Sequence, residues 1–117
     1  MLQQAQQVPV VAQPLAGGER TGQRPSAGNQ QPWQFVVVTD KAQLELVKGV
    51  HPHVGMAPRA PLGILVCGDE SLEKFPGFWP QDCSAAMQNL LLAAHAVGLG
   101  AVWCGVWPRE PRIEGLR

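Results

Sequence analysis

Twenty residues near the C-terminal end, QDCSAAMQNLLLAAHAVGLG (81–100), restrict the folds open to this chain more than any other stretch. Cys83, Ala86, Met87, Leu90, Leu91, Ala94 and Val97 recur at three- and four-residue steps, which predicts a helix from about Gln81 to Val97. Pro80 suits its first turn, Asp82 suits its positive N-terminal end, and the Gly98-Leu99-Gly100 run stops it. Ala85, Leu92, Ala93 and Ala96 cover much of the remaining circumference. A helix apolar nearly all round needs cover on more than one side. With 117 residues the chain is one domain at most, so the second cover is expected from a partner subunit.

Three extended segments accompany this helix. Gln34 to Thr39 is β-branched, short and bounded by Pro32 and Asp40, which predicts a strand. LGILVCGD (62–69) is a continuous apolar run, the pattern of a strand buried on both faces. AVWCGVW (101–107) reads as a third extended segment. Asp40 is a good N-cap for a helix over KAQLELVKGV, and Pro108 opens a last short helix. Strands and helices therefore alternate from residue 25 onward, an α/β pattern. Residues 1–24 differ: six of the first 23 are Gln and prolines and glycines interrupt them, so they are expected to be disordered.

Ahead of the first strand stands PSAGNQQPW (25–33), a loop of small and neutral polar residues. Such a lining suits a polar, mostly uncharged ligand. Two readings of Asn29 stand open on the residues alone: a ligand contact, or an Asx turn closed by its own side chain. Gly105 is likewise either a point of close backbone approach or a bulge glycine. Gln30 and Gln31 read as caps of the strand edge, and Trp33 reads as core. Phe78 and Trp79 suit a substrate lid or a dimer contact.

Several function classes lose support. Net charge is zero and no basic run is present, which gives no electrostatic reason to expect nucleic acid. No apolar stretch approaches the roughly 20 residues of a membrane span, and the N-terminus lacks the pattern of a signal peptide. Cys67, Cys83 and Cys104 are odd in number and far apart, the usage of reduced thiols in a cytoplasmic protein. His51 and His53 lie in a proline-rich loop without further ligands nearby, so no metal site is expected, and His95 reads as a packed histidine.

Taken together, PSAGNQQPWQFVVVTD, APRAPLGILVCGD and QDCSAAMQNLLLAAHAVGLGAVWCGVWP resemble, in order and spacing, the FMN-dependent nitroreductase family. The resemblance covers about residues 25–117 and implies an α+β fold of three layers, with a central sheet and a long buried helix. It implies a homodimer with FMN at the subunit interface, which takes hydride from NADH or NADPH and passes electrons to a small-molecule acceptor such as a nitro compound or quinone. It assigns the cofactor contacts to Pro25, Ser26, Ala27, Gly28 and Asn29 in the first motif and to the backbone of Gly105 and Val106, near the flavin N5 and O4 atoms, in the second. Trp103 and Trp107 would wall the pocket. No catalytic side chain is demanded, because the flavin carries the chemistry.

The chain also departs from the family pattern. Members begin with an Arg-Arg-Ser helix that holds the FMN phosphate, whereas GGERTGQRPSAGN supplies only Arg20 and Arg24, too close to the Asn29 loop. They also continue through a further strand and arm. The chain is therefore expected to be a domain truncated at both ends. Charge-assisted hydrogen bonds to phosphate are worth roughly 1.5–3 kcal/mol each, so losing two or three would weaken binding by about a thousandfold or more. The alternatives are a non-catalytic remnant with weak or no FMN binding, or another chemistry on the same fold, such as flavin cleavage or reductive dehalogenation.

Overall fold

The computed structural model describes residues 26–117 and the backbone of two strands ahead of them, β1 (Gln4–Gln7) and β2 (Val10–Val11). Within the 1–24 segment expected to be disordered, these two pieces are strand. The remainder of that segment, and Pro25, lie outside the described residues. The elements that follow are β3 (Trp33–Val38), α1 (Lys41–Val50), β4 (Leu62–Gly68), α2 (Trp79–Ala96), β5 (Ala101–Val102) and α3 (Glu110–Gly115).

β4 is the middle of the sheet. β3 lies along one side, in register from Trp33 opposite Gly68 to Val38 opposite Gly63. β1 and β2 share the other side, and β2 passes the sheet on to β5. Every pairing is antiparallel. The parallel sheet that alternating strands and helices suggest is therefore not formed, and the fold is α+β.

The apolar run of β4 is explained by its two covered faces. Leu62, Ile64 and Val66 point to one side, where α2 packs with Cys83, Ala86, Met87, Leu90 and Ala94. Leu65 and Cys67 point to the other, where they meet Val47 of α1 and Ile113 of α3. Strand side chains alternate with a period of two, so a strand buried on both sides must be apolar at every position. The result is helix, sheet, helix: three layers. Each large apolar side chain so buried contributes about 1.5–3 kcal/mol.

Local signals set the helix ends. The Asp40 carboxylate accepts from the Ala42 N–H at 2.8 Å and caps α1. α2 begins two residues before the expected Gln81, because Pro80 fits a first turn and Glu73 Oε1 accepts from the Trp79 N–H at 2.8 Å. Its buried residues fall on one face and Leu92, on the opposite side, is 57% exposed; Val97, expected on the buried stripe, is the C-cap beyond the last turn and is 62% exposed. The third extended segment forms strand at Ala101–Val102, with an isolated bridge at Gly105. The Gly105 carbonyl is taken by side chains.

The thiol of Cys67, enclosed between the sheet and α3, is pushed up from 9.0 to about 11 by burial. An unfolded chain releases this proton near pH 9, and the folded chain only near 11. Stability is therefore full below pH 9 and falls as pH rises from 9 to 11. No tyrosine titrates in this window, because the chain has none. Urea midpoints at pH 8 and pH 10.5 should drop further for the wild type than for Cys67→Ala. Equal drops would contradict the assignment.

Candidate functional site

The loop ahead of β3 is a tight turn. Ser26 is extended, Ala27–Asn29 form one 3-10 turn, and Gly28 and Asn29 hold φ of 54° and 53°. Gln31 is also left-handed, at 51°. Glycine takes this conformation freely, whereas Asn tolerates it and Gln pays strain for it. The turn closes through Ser26 Oγ, which accepts from the Gln31 N–H at 3.1 Å. Asn29 Oδ1 accepts from Gln31 Nε2 at 3.3 Å, and Asn29 itself is exposed. Its carboxamide thus stands at the surface on a rigid turn. A Cβ at Gly28 would collide with the ring of Phe75.

What keeps the turn rigid lies beneath it. Gln30 and Asp82 are each only 6% exposed. Asp82, in the first turn of α2, accepts from the Ala27 N–H at 3.0 Å through Oδ1 and from Gln30 Nε2 at 2.8 Å through Oδ2. Gln30 Oε1 accepts from the N–H groups of Lys74 and Phe75 at 3.0 and 3.1 Å. One carboxylate and one carboxamide therefore bind three chain segments together. A buried polar network that is satisfied in this way specifies one geometry.

The second candidate segment is built on the same helical turn. Trp79 packs edge-on against Trp107, with ring centroids 5.0 Å apart and planes at 71°. Trp107 directly follows Val106 and carries a cis peptide bond to Pro108. Gly105 is half-buried, and a Cβ added there would meet only the Trp103 ring, at an ordinary 3.6 Å. Among the described residues nothing else lies within 4 Å of that position. Val106 has no exposed surface and its side chain packs with Cys67 and Ile113. The Gly105 carbonyl accepts from Arg112 Nη1 at 2.7 Å and lies 2.7 Å from His51 Nε2. Burial raises the Cys104 thiol, and the Arg112 guanidinium partly offsets the rise.

With both segments anchored on the first turn of α2, comparison with known proteins becomes specific. A family model described as the nitroreductase family matches residues 50–114, more than half of the chain. The chain belongs to the nitroreductase family. A protein of Methanothermobacter thermautotrophicus, named "Putative NADH dehydrogenase/NAD(P)H nitroreductase", is 58% identical over 93 residues, which are 80% of this chain and 49% of that one. Among solved structures, a Clostridium acetobutylicum protein described as "Putative NADH Oxidase" superposes with a TM-score of 0.81 at 40% identity, over 84% of this chain and 59% of that one. A nitroreductase-like protein of Desulfovibrio desulfuricans, solved in complex with FMN, gives a TM-score of 0.65 at 36% identity, over 74% of this chain and 51% of that one. The chain spans about half the length of the curated relatives it matches.

As a nitroreductase-family site, the arrangement suits the ring of a flavin. The ring's pyrimidine edge both accepts and donates, and an exposed carboxamide on a small-residue turn can do the same. Four of the described basic side chains are already committed: Lys41 donates to the Pro58 and Ala60 carbonyls, Lys48 pairs with Glu45, Arg117 pairs with Glu114, and Arg112 holds Gly105. Sequence reasoning missed Gln30, Asp82 and His51. Asp82 read as a helix-dipole charge and Gln30 as a strand cap. By its loop position His51 reads only as a possible metal ligand, and among the described residues there is no cluster that could hold a metal ion. Only the pairing of residues 52 positions apart, which no local signal encodes, reveals the Gln30–Asp82 bond.

Proposed function

We propose that this chain carries the ring-binding part of an FMN-dependent oxidoreductase that takes reducing equivalents from NADH or NADPH. Its acceptors are nitro compounds, quinones or similar small molecules. The observation that carries this reading is the left-handed Gly28-Asn29 turn held from below by Gln30 and Asp82. FMN, when bound, supplies the hydride and electron chemistry. The residues of the chain do the holding. Asn29 meets the pyrimidine edge, Ser26, Ala27 and Gly28 keep the approach narrow, with Pro25 at its entry, and the backbone of half-buried Gly105 faces the N5–O4 edge, with Val106 enclosed behind it. Trp103 and Trp107, both exposed, close the sides. No side-chain acid or base is required. The purified chain, given FMN and NADH, should consume NADH when a nitroaromatic or a quinone is added. FMN bound without NADH consumption contradicts the reading.

The same reading takes the protein to be a cytoplasmic homodimer. Leu92 on the outer face of α2, Val97 at its C-cap and Val102 on β5 are exposed apolar side chains that a second copy would cover. Among the described residues no helix is long and apolar enough to cross a membrane. Light scattering should give twice the chain mass, and a monomer mass at micromolar concentration contradicts the dimer.

A further inference from the structure

β3 is an edge strand that lacks the features by which such strands are usually protected. It pairs with β4 on one side, and among the described residues no strand lies on its other side. Its six residues, WQFVVV, include no charge and no proline, and its register with β4 runs unbroken from Trp33 to Val38. Edge strands are ordinarily kept from pairing further by a charged residue, a proline or a bulge. Val37 is 59% exposed, and so, at 71%, is Leu46 of the neighbouring α1.

The ladder with β4 fixes which backbone groups face outward. The Asp69 N–H donates to the Pro32 carbonyl at 2.7 Å, which extends the β3–β4 register by one hydrogen-bonded pair. In an antiparallel ladder such pairs alternate with pairs whose N–H and C=O groups point away from the partner strand. Gln34, Val36 and Val38 therefore bond to β4, whereas Phe35 and Val37 point their N–H and C=O groups to the outer edge. On its α1 side the strand also borders a groove of about 330 Å3, with Val36, Val38, Leu46, Leu65 and Leu116 in its lining.

The geometry points to β3 as a docking edge for a second copy of this chain, with the two β3 strands antiparallel across a two-fold axis at Val36. In that register Phe35 of each copy stands opposite Val37 of the other and exchanges both backbone bonds with it. Val36 meets its own equivalent, and Gln34 meets Val38. Every cross-strand pair is thus apolar or neutral, and an aromatic residue opposite a β-branched one contributes about 0.2–1 kcal/mol. Asp40 and Lys41 fall opposite Pro32 and Gln31, so no like charges meet. This self-complementarity is what a two-fold contact requires. A six-residue ladder falls short of the roughly 800 Å2 per partner of a stable interface. The contact is therefore a weak one, which Leu46 and the groove beside the strand extend with apolar surface. β3 and β5 lie at opposite edges of the sheet, so this surface is distinct from the one at α2 and β5, and it does not depend on the flavin reading.

Two measurements on the full chain test it. Light scattering compares the wild type with Val37→Pro over a range of concentrations. Proline at 37 deletes an outward N–H and leaves the β4 ladder whole, since an edge strand tolerates proline on its free side. The wild-type mass should rise toward twice its micromolar value as the concentration approaches about 1 mM, and Val37→Pro should stay at the micromolar value. A wild-type mass that does not rise, or a variant that rises with it, overturns the proposal. The second measurement is amide hydrogen exchange at high and low protein concentration. Phe35 and Val37 should exchange about tenfold faster at the low concentration, while Val36 and Val38, bonded to β4, should not change. Fast exchange of Phe35 and Val37 at both concentrations means an open edge, and slow exchange at both means an edge covered from within the chain; either overturns the proposal. Far-UV circular dichroism checks the fold of the variant. Should Val37→Pro unfold, Val37→Lys takes its place, and its mass should likewise not rise with concentration.

Discussion

Replacing Asp82 with alanine should cost about 3–4 kcal/mol of stability, roughly a third of what a domain of this size commonly has. The carboxylate is buried and accepts hydrogen bonds from the Ala27 N–H and from Gln30 Nε2. Bonds to a charged acceptor are worth about 1.5–3 kcal/mol each, and their loss leaves buried donors without partners. Asparagine should rescue little. It keeps one oxygen for the Ala27 N–H but turns an NH2 group toward Gln30. Gln30 cannot flip to accommodate it, because its own oxygen is held by Lys74 and Phe75. Urea unfolding should therefore give a loss of about 2 kcal/mol or more for Asp82→Asn. An asparagine variant as stable as wild type would show that the network is not what holds the turn. The consequence for the site is direct, since Ala27, Gly28 and Asn29 lose the anchor beneath them.

Gly68→Ala should be nearly as costly, at about 3 kcal/mol. In a strand, alanine ordinarily gains about 0.5–1 kcal/mol over glycine by lowering the entropy of the unfolded chain. Here a Cβ would run into the Trp79 indole, which is itself enclosed. Overpacking of a closed core costs about 1–3 kcal/mol and occasionally more, so the collision outweighs the entropy gain. Trp79 would have to move, and it carries Trp107 on its edge. The near-ultraviolet circular dichroism of the indoles should change along with the urea midpoint. An unchanged spectrum with unchanged stability would mean that Trp79 is not locked between Gly68 and Trp107.

The parts of the fold that local chemistry dictates are the parts that the sequence discloses. The period of Cys83, Met87, Leu90 and Ala94 marks the buried face of α2, and the unbroken apolar run of β4 marks a strand covered twice. Asp40 caps α1 as its position implies. The α2 boundary shifted by two residues because its cap, Glu73, lies six positions upstream in a connection with no periodicity. Strand direction was not legible, since alternation of elements does not say which way a strand returns. The site divides in the same manner. The loop 25–29 draws notice through residue type alone, but what supports it joins Gln30 to Asp82 and His51 to Gly105, across 52 and 54 residues. Contacts of that span leave no trace in a local pattern. The resemblance to nitroreductases indicated which segments meet, and the geometry added which side chains hold them.

The most direct test of the flavin site is a titration of the full chain with FMN, followed by gel filtration and a visible spectrum. Flavin absorbance should elute with the protein, and the binding should weaken about tenfold in Asn29→Ala, which loses the carboxamide at the pyrimidine edge. A colourless protein fraction, or Asn29→Ala binding as tightly as wild type, would contradict the account.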